Sequence, residues 1–249
     1  MKRYFVWIQY NGTRFSGWQS QPNAPTIQDL IESKLSMVQR EEIRVVGCGR
    51  TDAGVHASDY VFHFDGLIED VDHLIFKLNR MLGKDVAVIK IREVLPTAHA
   101  RFDAIKRSYG YHISQVKNPF KTEVSYHNLY VFQKDLEILN RVAAEFLKHD
   151  DFFPYCKSNS DVNNTKCHIY RSEWEIHNGE LIFHVEANRF LRGMVRLLVG
   201  SCLNVANGKL SIDEIKDAFN NQRRLSKDLS VPAHGLFLNK ITYPDDLFV

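Results

Sequence analysis

The apolar and polar positions along the chain predict both strands and helices. Residues 4–10 alternate in the manner of a strand, and Asn11-Gly12 is typical of a tight turn. Thr26 is suited to cap the helix that follows it. The apolar face of that helix consists of Ile27, Leu30, Ile31, Leu35 and Val38. A strand, a turn and an amphipathic helix therefore open the chain.

The rest of the first half alternates between short strands and one further helix. The predicted elements are strand Ile43–Cys48, strand Tyr60–Phe64, helix 71–81 and strand Val86–Val94. The order lacks the strict strand–helix–strand repeat of a parallel sheet. It therefore favours an α+β fold with antiparallel pairing.

The second half has the same mixture of elements. We expect strands at Ser108–Gln115 and Leu129–Phe132, a helix at Leu136–Lys148, and a hairpin at 168–186 that turns at His177-Asn178-Gly179. Residues 154–166 are polar and rich in Asn and Ser, and their length favours a mobile binding loop.

A helix over 188–206 is predicted to separate apolar from basic residues. Asn188 is a suitable N-cap, and Gly208 is a suitable stop. One face carries Leu191, Val195, Leu198 and Cys202, and the opposite face carries Arg189, Arg192 and Arg196. A charged face is ordinarily just solvated. Here Gly193 and Gly200 lie among the arginines, which would let a phosphate backbone approach closely.

Composition narrows the class of protein without identifying a function. The chain has 249 residues, 44% of them hydrophobic and 25% charged, which is ordinary for a soluble globular protein. Its formal net charge of +2 is too small to indicate nucleic-acid binding by itself. Its four cysteines are scattered without a Cys-x-x-Cys pair, which predicts free buried thiols. Neither a membrane span nor a signal peptide is apparent, so we expect a cytoplasmic protein.

The segment Gly49-Arg50-Thr51-Asp52-Ala53-Gly54-Val55-His56-Ala57 is the strongest candidate for chemistry. It follows a predicted strand, and catalytic groups are often found on loops that a rigid scaffold holds. In an extended segment Arg50 and Asp52 point to the same side. An aspartate in such a loop can equally serve only a local turn.

The whole segment resembles the signature loop of the tRNA pseudouridine synthase A (TruA) family, and other segments resemble the family in the same order. They are Tyr10-Asn11-Gly12 with Gly17-Trp18-Gln19, His99-Ala100-Arg101-Phe102, Arg107-Ser108-Tyr109-Gly110-Tyr111, Asn188-Arg189-Phe190 with Met194-Val195-Arg196, and Pro232–Leu238. Asn11 stands where the family usually has Asp. The matches extend over nearly the whole chain.

The resemblance implies an α+β pseudouridine synthase fold. Two similar halves, residues 1–105 and 106–249, would join mainly antiparallel sheets into one extended sheet, with helices on the outer faces and an active-site cleft between the halves. It further implies that Asp52 is the catalytic nucleophile, with Tyr109 and Arg196 as its catalytic partners. The substrate would be tRNA at uridines 38, 39 and 40, and the protein would be a homodimer.

The remaining candidates rest on weaker signals. Arg50 and Tyr109 are expected to contact substrate, as are Arg189, Arg192, Lys106 and Arg107. Arg223, Arg224 and Lys227 form another basic cluster that could follow phosphates. By itself each basic cluster is ordinary surface. Tyr111 shares a strand face with Tyr109, so only the motif distinguishes the two tyrosines.

No metal or cofactor is expected. The spacing of His56, His63 and His99 supports no metal site. The conversion of uridine to pseudouridine, which the resemblance implies, is redox-neutral. Two other classes of protein stay open. A non-catalytic RNA-binding module would not need a catalytic acid. A carboxylate glycosidase would need two flanking acids, whereas the signature loop contains one.

Overall fold

The computed structural model describes residues 1–129, 135–156, 164–225 and 230–249. The helices in these ranges are α1 (Ile27–Gln39), α2 (Val71–Met81), α3 (Leu136–Phe146), α4 (Met194–Ala206) and α5 (Ile212–Asn220). The strands are β1 (Lys2–Tyr10), β2 (Val46–Gly47), β3 (His56–Gly66), β4 (Val86–Val94), β5 (Lys106–Ser114), β6 (Tyr126–His127), β7 (Ile169–His177), β8 (Glu180–Ala187) and β9 (Leu236–Thr242). The predicted α+β class is confirmed. Among the described residues, no helix combines the length and apolar character needed to cross a membrane.

The chain forms two compact units. Unit 1 consists of residues 1–107 and 237–249, and unit 2 consists of residues 108–236. The predicted division after residue 105 lies close to the first boundary. Residues 237–249 differ from the prediction because they belong to unit 1. The reason is that β9 pairs in parallel with the start of β3, where His56 faces Phe237.

Unit 1 is a sheet in the order β4-β1-β3-β9, with β2 beside β3. The pairs β1–β3 and β1–β4 are antiparallel. Thr26 accepts a hydrogen bond from the Asp29 N–H and begins α1 as predicted. The buried core of unit 1 includes Ile27, Ile31 and Leu35 of α1, Leu74 and Leu78 of α2, and Val6 and Ile8 of β1.

Unit 2 contains the neighbouring strands β5, β8 and β7, with β6 parallel to β5. Strands β7 and β8 form an antiparallel hairpin. Asn178 and Gly179 both have positive φ, which matches the two-residue turn that the Asn-Gly pair predicts. The predicted hairpin is therefore confirmed, although its turn is one residue shorter than expected because His177 pairs with Glu180.

In each unit, the side-chain amide of an asparagine joins a helix to a strand through a pair of hydrogen bonds. In unit 1 the side-chain amide of Asn79 on α2 bonds both the N–H and the C=O of Val88 on β4, at 2.7 and 2.8 Å. In unit 2 Asn140 on α3 makes the same pair of bonds to Trp174 on β7, at 2.8 and 2.9 Å. This correspondence agrees with two halves of similar construction.

The predicted strand Ile43–Cys48 is wrong in its extent, since the strand that pairs with β3 consists of Val46 and Gly47. The preceding backbone bonds side chains of α1 instead. Glu32 accepts the Val45 N–H, and Ser36 accepts the Ile43 N–H.

Two other predictions lie wholly or partly outside the described residues. Strand Leu129–Phe132 falls on positions 130–132, and most of loop 154–166 falls on 157–163.

Candidate active site

Asp52 lies half-buried in the turn that leads into β3. The Val55 N–H donates to the Asp52 carbonyl oxygen at 3.2 Å, which closes this turn. Upstream, the Cys48 N–H donates to the Val61 carbonyl at 2.8 Å, and the Tyr60 hydroxyl donates to the Gly49 carbonyl. The backbone on both sides of Asp52 is therefore attached to the scaffold.

The N-terminal motif lies directly against this loop. The Trp18 N–H donates to the Thr51 carbonyl, and the Gly54 N–H donates to the Phe15 carbonyl, both at 3.3 Å. A Cβ atom on Gly17 would lie 2.3 Å from the Thr51 carbonyl oxygen, and Gly17 also has a φ of +92°. Only glycine permits this approach and this backbone conformation.

Gly12 makes a second close approach to the loop. A Cβ atom there would lie 2.0 Å from the Val55 carbonyl oxygen. The Gly12 N–H donates to Nδ1 of the buried His56 at 3.1 Å. Asn11 accepts the Thr13 N–H at 3.0 Å, a local bond that an aspartate could make equally well. His56 thus accepts a hydrogen bond that joins the N-terminal motif to the loop.

Buried aromatic side chains also hold the loop in place. The rings of Trp18 and Tyr60 stack at 4.2 Å, and Gly47 has no room for a side chain beside them. The Tyr10 hydroxyl lies 2.9 Å from Oγ1 of Thr51, and both residues are buried. The sequence contained this signal, since the same motif includes Tyr10, Gly12, Gly17 and Trp18. By itself, the local pattern of this motif predicts only the Asn11-Gly12 turn.

Arg107 holds the start of the loop from another direction. Its guanidinium donates to the carbonyl oxygens of Ala104 at 2.9 Å, Arg101 at 2.7 Å and Cys48 at 3.3 Å. These bonds give Arg107 a structural role that the sequence did not predict. Its predicted contact with substrate phosphate stays a prediction. Of the other candidates in unit 1, Arg50 is exposed and Lys106 is half-buried.

Two other groups near Asp52 in the sequence are poor candidates for the nucleophile. Burial raises the pKa of Cys48 to about 12, so its thiol stays protonated at neutral pH. Burial also raises the pKa of Asp59, whose carboxylate accepts the Ile241 N–H at 3.0 Å and so serves β9. Asp52 is therefore the better candidate within unit 1.

In unit 2 the structure distinguishes the two tyrosines of β5. Tyr111 is fully buried, and its hydroxyl donates to the Pro232 carbonyl at 2.8 Å. Tyr109 is half-buried, and its ring meets the edge of Phe190 with the centroids 5.2 Å apart. Tyr111 is thus a core residue, whereas part of the Tyr109 side chain is accessible.

The predicted helix over 188–206 begins six residues later than expected. Gly193 precedes it with a φ of +72°, and Met194 is its first residue. Asn188 does not cap this helix, because its side chain accepts the N–H groups of His168 and Arg189. Arg196 is in the first turn, where its Nε donates to the Val231 carbonyl at 2.7 Å.

The later start of α4 removes the predicted arginine face. Arg189 and Arg192 lie outside the helix, so they do not share a helical stripe with Arg196. Arg189 is half-buried and Arg192 is exposed. Gly208, with a φ of +67°, follows the end of α4 as predicted.

The expectation that the protein needs no metal stays a prediction. Across the described ranges, no group of three or more His, Cys, Asp or Glu side chains could hold a metal ion. His63 accepts the Ala100 N–H through Nδ1 at 3.1 Å. Burial lowers its pKa to about 4, so it is neutral at physiological pH. All four cysteines are buried thiols outside any disulfide, as predicted.

Comparison with known proteins identifies the family. A sequence profile described as tRNA pseudouridine synthase matches residues 6–103 and 142–244. The chain belongs to the tRNA pseudouridine synthase family. Proteins named tRNA pseudouridine synthase A from Parabacteroides distasonis, Porphyromonas gingivalis and Bacteroides fragilis are 43%, 40% and 42% identical to it. Each alignment covers 100% of this chain and 98%, 100% and 99% of the respective relative.

Within the family framework, the predicted site residues divide between the two units. Unit 1 contains Asp52, Arg50, Lys106 and Arg107, and unit 2 contains Tyr109, Arg189, Arg192 and Arg196. Unit 1 presents a carboxylate on a loop whose backbone is bonded on both sides. Such a loop can hold a nucleophile in a fixed position with little reorganisation. Unit 2 presents a half-buried tyrosine and an arginine at the start of α4.

Proposed function

We propose that this member of the family converts uridine to pseudouridine in tRNA, at positions 38, 39 and 40 of the anticodon stem-loop. The observation that carries the proposal is the bonded loop around Asp52, in a chain that matches tRNA pseudouridine synthases over its full length. The positions follow from the resemblance to the TruA family.

The chemistry needs a carboxylate near C1′ of the ribose. The bond from C1′ to N1 of uracil breaks, the base rotates, and C5 bonds to C1′, while the hydrogen of C5 leaves as a proton and N1 takes up a proton. Asp52 would act at C1′, either as a nucleophile or by promoting an elimination. Both routes return the enzyme unchanged.

Tyr109 and Arg196 are proposed as the partners of Asp52 in this reaction. A guanidinium favours the ionised form of a carboxylate, which is the form that must act at C1′. An aromatic ring can receive a base that has left its stack, and a phenol can relay a proton. The partial accessibility of Tyr109 supports this assignment over Tyr111.

The substrate must be bound and partly opened before the reaction. Removing a paired uridine from a stem costs about a few kcal/mol of stacking and pairing. We propose that basic side chains supply phosphate contacts that offset this cost, namely Arg50, Lys106, Arg107, Arg189 and Arg192. Because such contacts release counterions, tRNA binding should weaken steeply as salt rises.

We also propose that the protein acts as a cytoplasmic homodimer without a cofactor. A dimer would let one tRNA contact both subunits, so an isolated anticodon arm should bind more weakly than whole tRNA. The four cysteines, which form no disulfide, agree with a reducing compartment. The reaction transfers no electrons and no external group, so it needs no redox cofactor. Light scattering and comparison of whole tRNA with the arm test the dimer.

The test of function is to incubate the protein with unmodified tRNA transcripts and map pseudouridine at single-nucleotide resolution. We expect product at positions 38, 39 and 40, and none in transcripts that carry cytidine there. Pseudouridine elsewhere in the tRNA would overturn the positions. Binding without any product would favour a non-catalytic RNA-binding module and overturn the proposed enzyme.

A further inference from the structure

The turn formed by His99–Asp103 presents an aromatic and a basic side chain to solvent. Phe102 is 73% exposed, although its ring is large and apolar. The Arg101 guanidinium lies over the same ring, 5.5 Å from its centroid, and is also exposed. A single exposed aromatic side chain is common on protein surfaces. What sets Phe102 apart is the number of bonds that fix the turn beneath it.

His99 organises the turn from inside. Its Nδ1 accepts the N–H groups of Arg101 at 3.1 Å and Phe102 at 3.3 Å. The Asp103 carboxylate accepts the His99 N–H at 2.7 Å, and the Asp103 N–H donates to the His99 carbonyl at 3.0 Å. The imidazole also packs against the Phe102 ring at 4.2 Å. The exposed ring is therefore held in one orientation.

The same turn is attached to the scaffold of the Asp52 loop. One nitrogen of Arg107, Nη2, donates to the carbonyl of Arg101 and to that of Cys48. Cys48 is four residues before Asp52 in the signature loop. At the base of the turn, the Ala100 N–H donates to His63 on β3. Arg107 thus bonds both the turn that carries Arg101 and Phe102 and the residue that precedes the signature loop, within unit 1.

We propose that the Phe102 ring stacks on an unpaired base of the bound tRNA while Arg101 contacts a neighbouring phosphate. This inference rests on the proposed function, because it assigns a contact to the same substrate. Proteins bind unpaired nucleotides with an aromatic face for the base and a cation for the backbone. The pair offers both groups on a support that is already ordered, so little conformational freedom is lost on binding.

A second copy of this chain is the competing occupant of the exposed ring. The Arg101 guanidinium beside the ring favours RNA. No carboxylate among the described residues forms an ion pair with it, and a phosphate would supply the negative charge. The loop of an anticodon arm also offers several unpaired bases. Light scattering on the variants described below distinguishes these two occupants.

The test measures tRNA binding at one fixed salt concentration for the Phe102 variants and over a series of salt concentrations for the Arg101 variant. The Phe102 variants distinguish the aromatic face of the side chain from its apolar volume. Phe102→Leu keeps an apolar side chain and removes the aromatic face, and Phe102→Trp keeps a face. We expect Phe102→Leu to raise Kd by about 5- to 100-fold and Phe102→Trp to preserve it. Arg101→Gln should weaken binding and reduce the salt slope by about 1. The matched control is Phe120→Leu, since Phe120 is 94% exposed in unit 2.

Stacking itself is read out by placing 2-aminopurine at unpaired positions of the anticodon loop. Its fluorescence should be quenched on binding the wild-type protein, and Phe102→Leu should relieve the quenching. Equal Kd values for wild type, Phe102→Leu and Phe120→Leu would overturn the inference. So would a fall in molecular mass for Phe102→Leu, which would assign the ring to a contact between copies.

Failure of this inference is distinguishable from failure of the proposed function. If the wild-type protein forms pseudouridine but Phe102→Leu binds tRNA normally, only the stacking contact is wrong. If the wild-type protein forms no pseudouridine, the proposed function fails whatever Phe102 does.

Discussion

Substitution of Gly12 tests whether the N-terminal motif holds the Asp52 loop in place. In Gly12→Ala the new Cβ atom would lie 2.0 Å from the Val55 carbonyl oxygen, so the two segments must separate by about 1 Å. Overpacking of this kind costs about 1–3 kcal/mol. Loss of the hydrogen bond from the Gly12 N–H to His56 adds about 0.5–1.5 kcal/mol.

These costs predict both a thermal and a kinetic effect. A chain of this length loses about 2–4 °C of Tm per kcal/mol, so the melting temperature should fall by about 3–18 °C. The single-turnover rate should fall by about 10²-fold, because a displacement of about 1 Å is enough to misplace a reacting group. Tm is measured by calorimetry, and the rate is measured on saturating tRNA well below the Tm of the variant.

Gly49 offers a matched control in the signature loop. A Cβ atom there meets nothing within 4 Å, so Gly49→Ala should change stability by less than about 0.5 kcal/mol. If Gly12→Ala melts and reacts like the wild-type protein, the account of how the loop is held is refuted. A large stability loss in Gly49→Ala would refute the distinction between the two glycines.

Three further predictions concern the proposed partners of Asp52, metal ions and pH. Arg196→Ala and Tyr109→Phe should still bind tRNA but slow the single-turnover rate by about 10²-fold or more, and unchanged rates would make both residues structural. EDTA should leave activity on a prefolded stem-loop intact, whereas a loss that one metal alone restores would contradict this. Because the folded-state pKa of His63 is about 4, against an ordinary value of 6.5, its neutral form contributes stability above pH 6.5. That stability should be lost as pH falls from 6.5 towards 4, and His63→Gln should show a shallower fall in Tm over this range than the wild-type protein.

Much of the fold follows from local sequence signals. The limits of α2 and β4 match the predicted 71–81 and Val86–Val94, because apolar spacing and flanking turn residues agree at both ends. The Asn178-Gly179 turn forms as expected because both residues tolerate positive φ. Where one element's own residues determine its conformation, the sequence is sufficient.

The sequence misleads where distant side chains take over backbone hydrogen bonds. The apolar run before the signature loop resembles a buried strand, yet Glu32 and Ser36 of α1 accept two of its N–H groups. The helix expected from residue 188 starts at Met194, because Asn188 bonds the His168 N–H instead of capping it. Neither competing bond can be read from local periodicity.

In the candidate site, too, contacts between residues that are distant in the sequence could not be predicted. Asp52 and Tyr109 were found through motifs, whose residues are contiguous in the chain. The three-carbonyl contact of Arg107 was missed, since its partners lie 3, 6 and 59 residues away. For the same reason, the pattern of β5 could not show that Tyr111 is buried while Tyr109 is partly accessible.

The measurement that tests the central claim most directly is tritium release from tRNA labelled at C5 of its uridines. Each conversion to pseudouridine releases one hydrogen from C5, so release counts turnovers. We predict that the wild-type protein releases tritium in single-turnover conditions. The Asp52→Asn variant should bind tRNA with similar affinity, melt at a similar temperature and release none. Release by Asp52→Asn at a rate near that of the wild-type protein would contradict the assignment of Asp52 as the catalytic carboxylate.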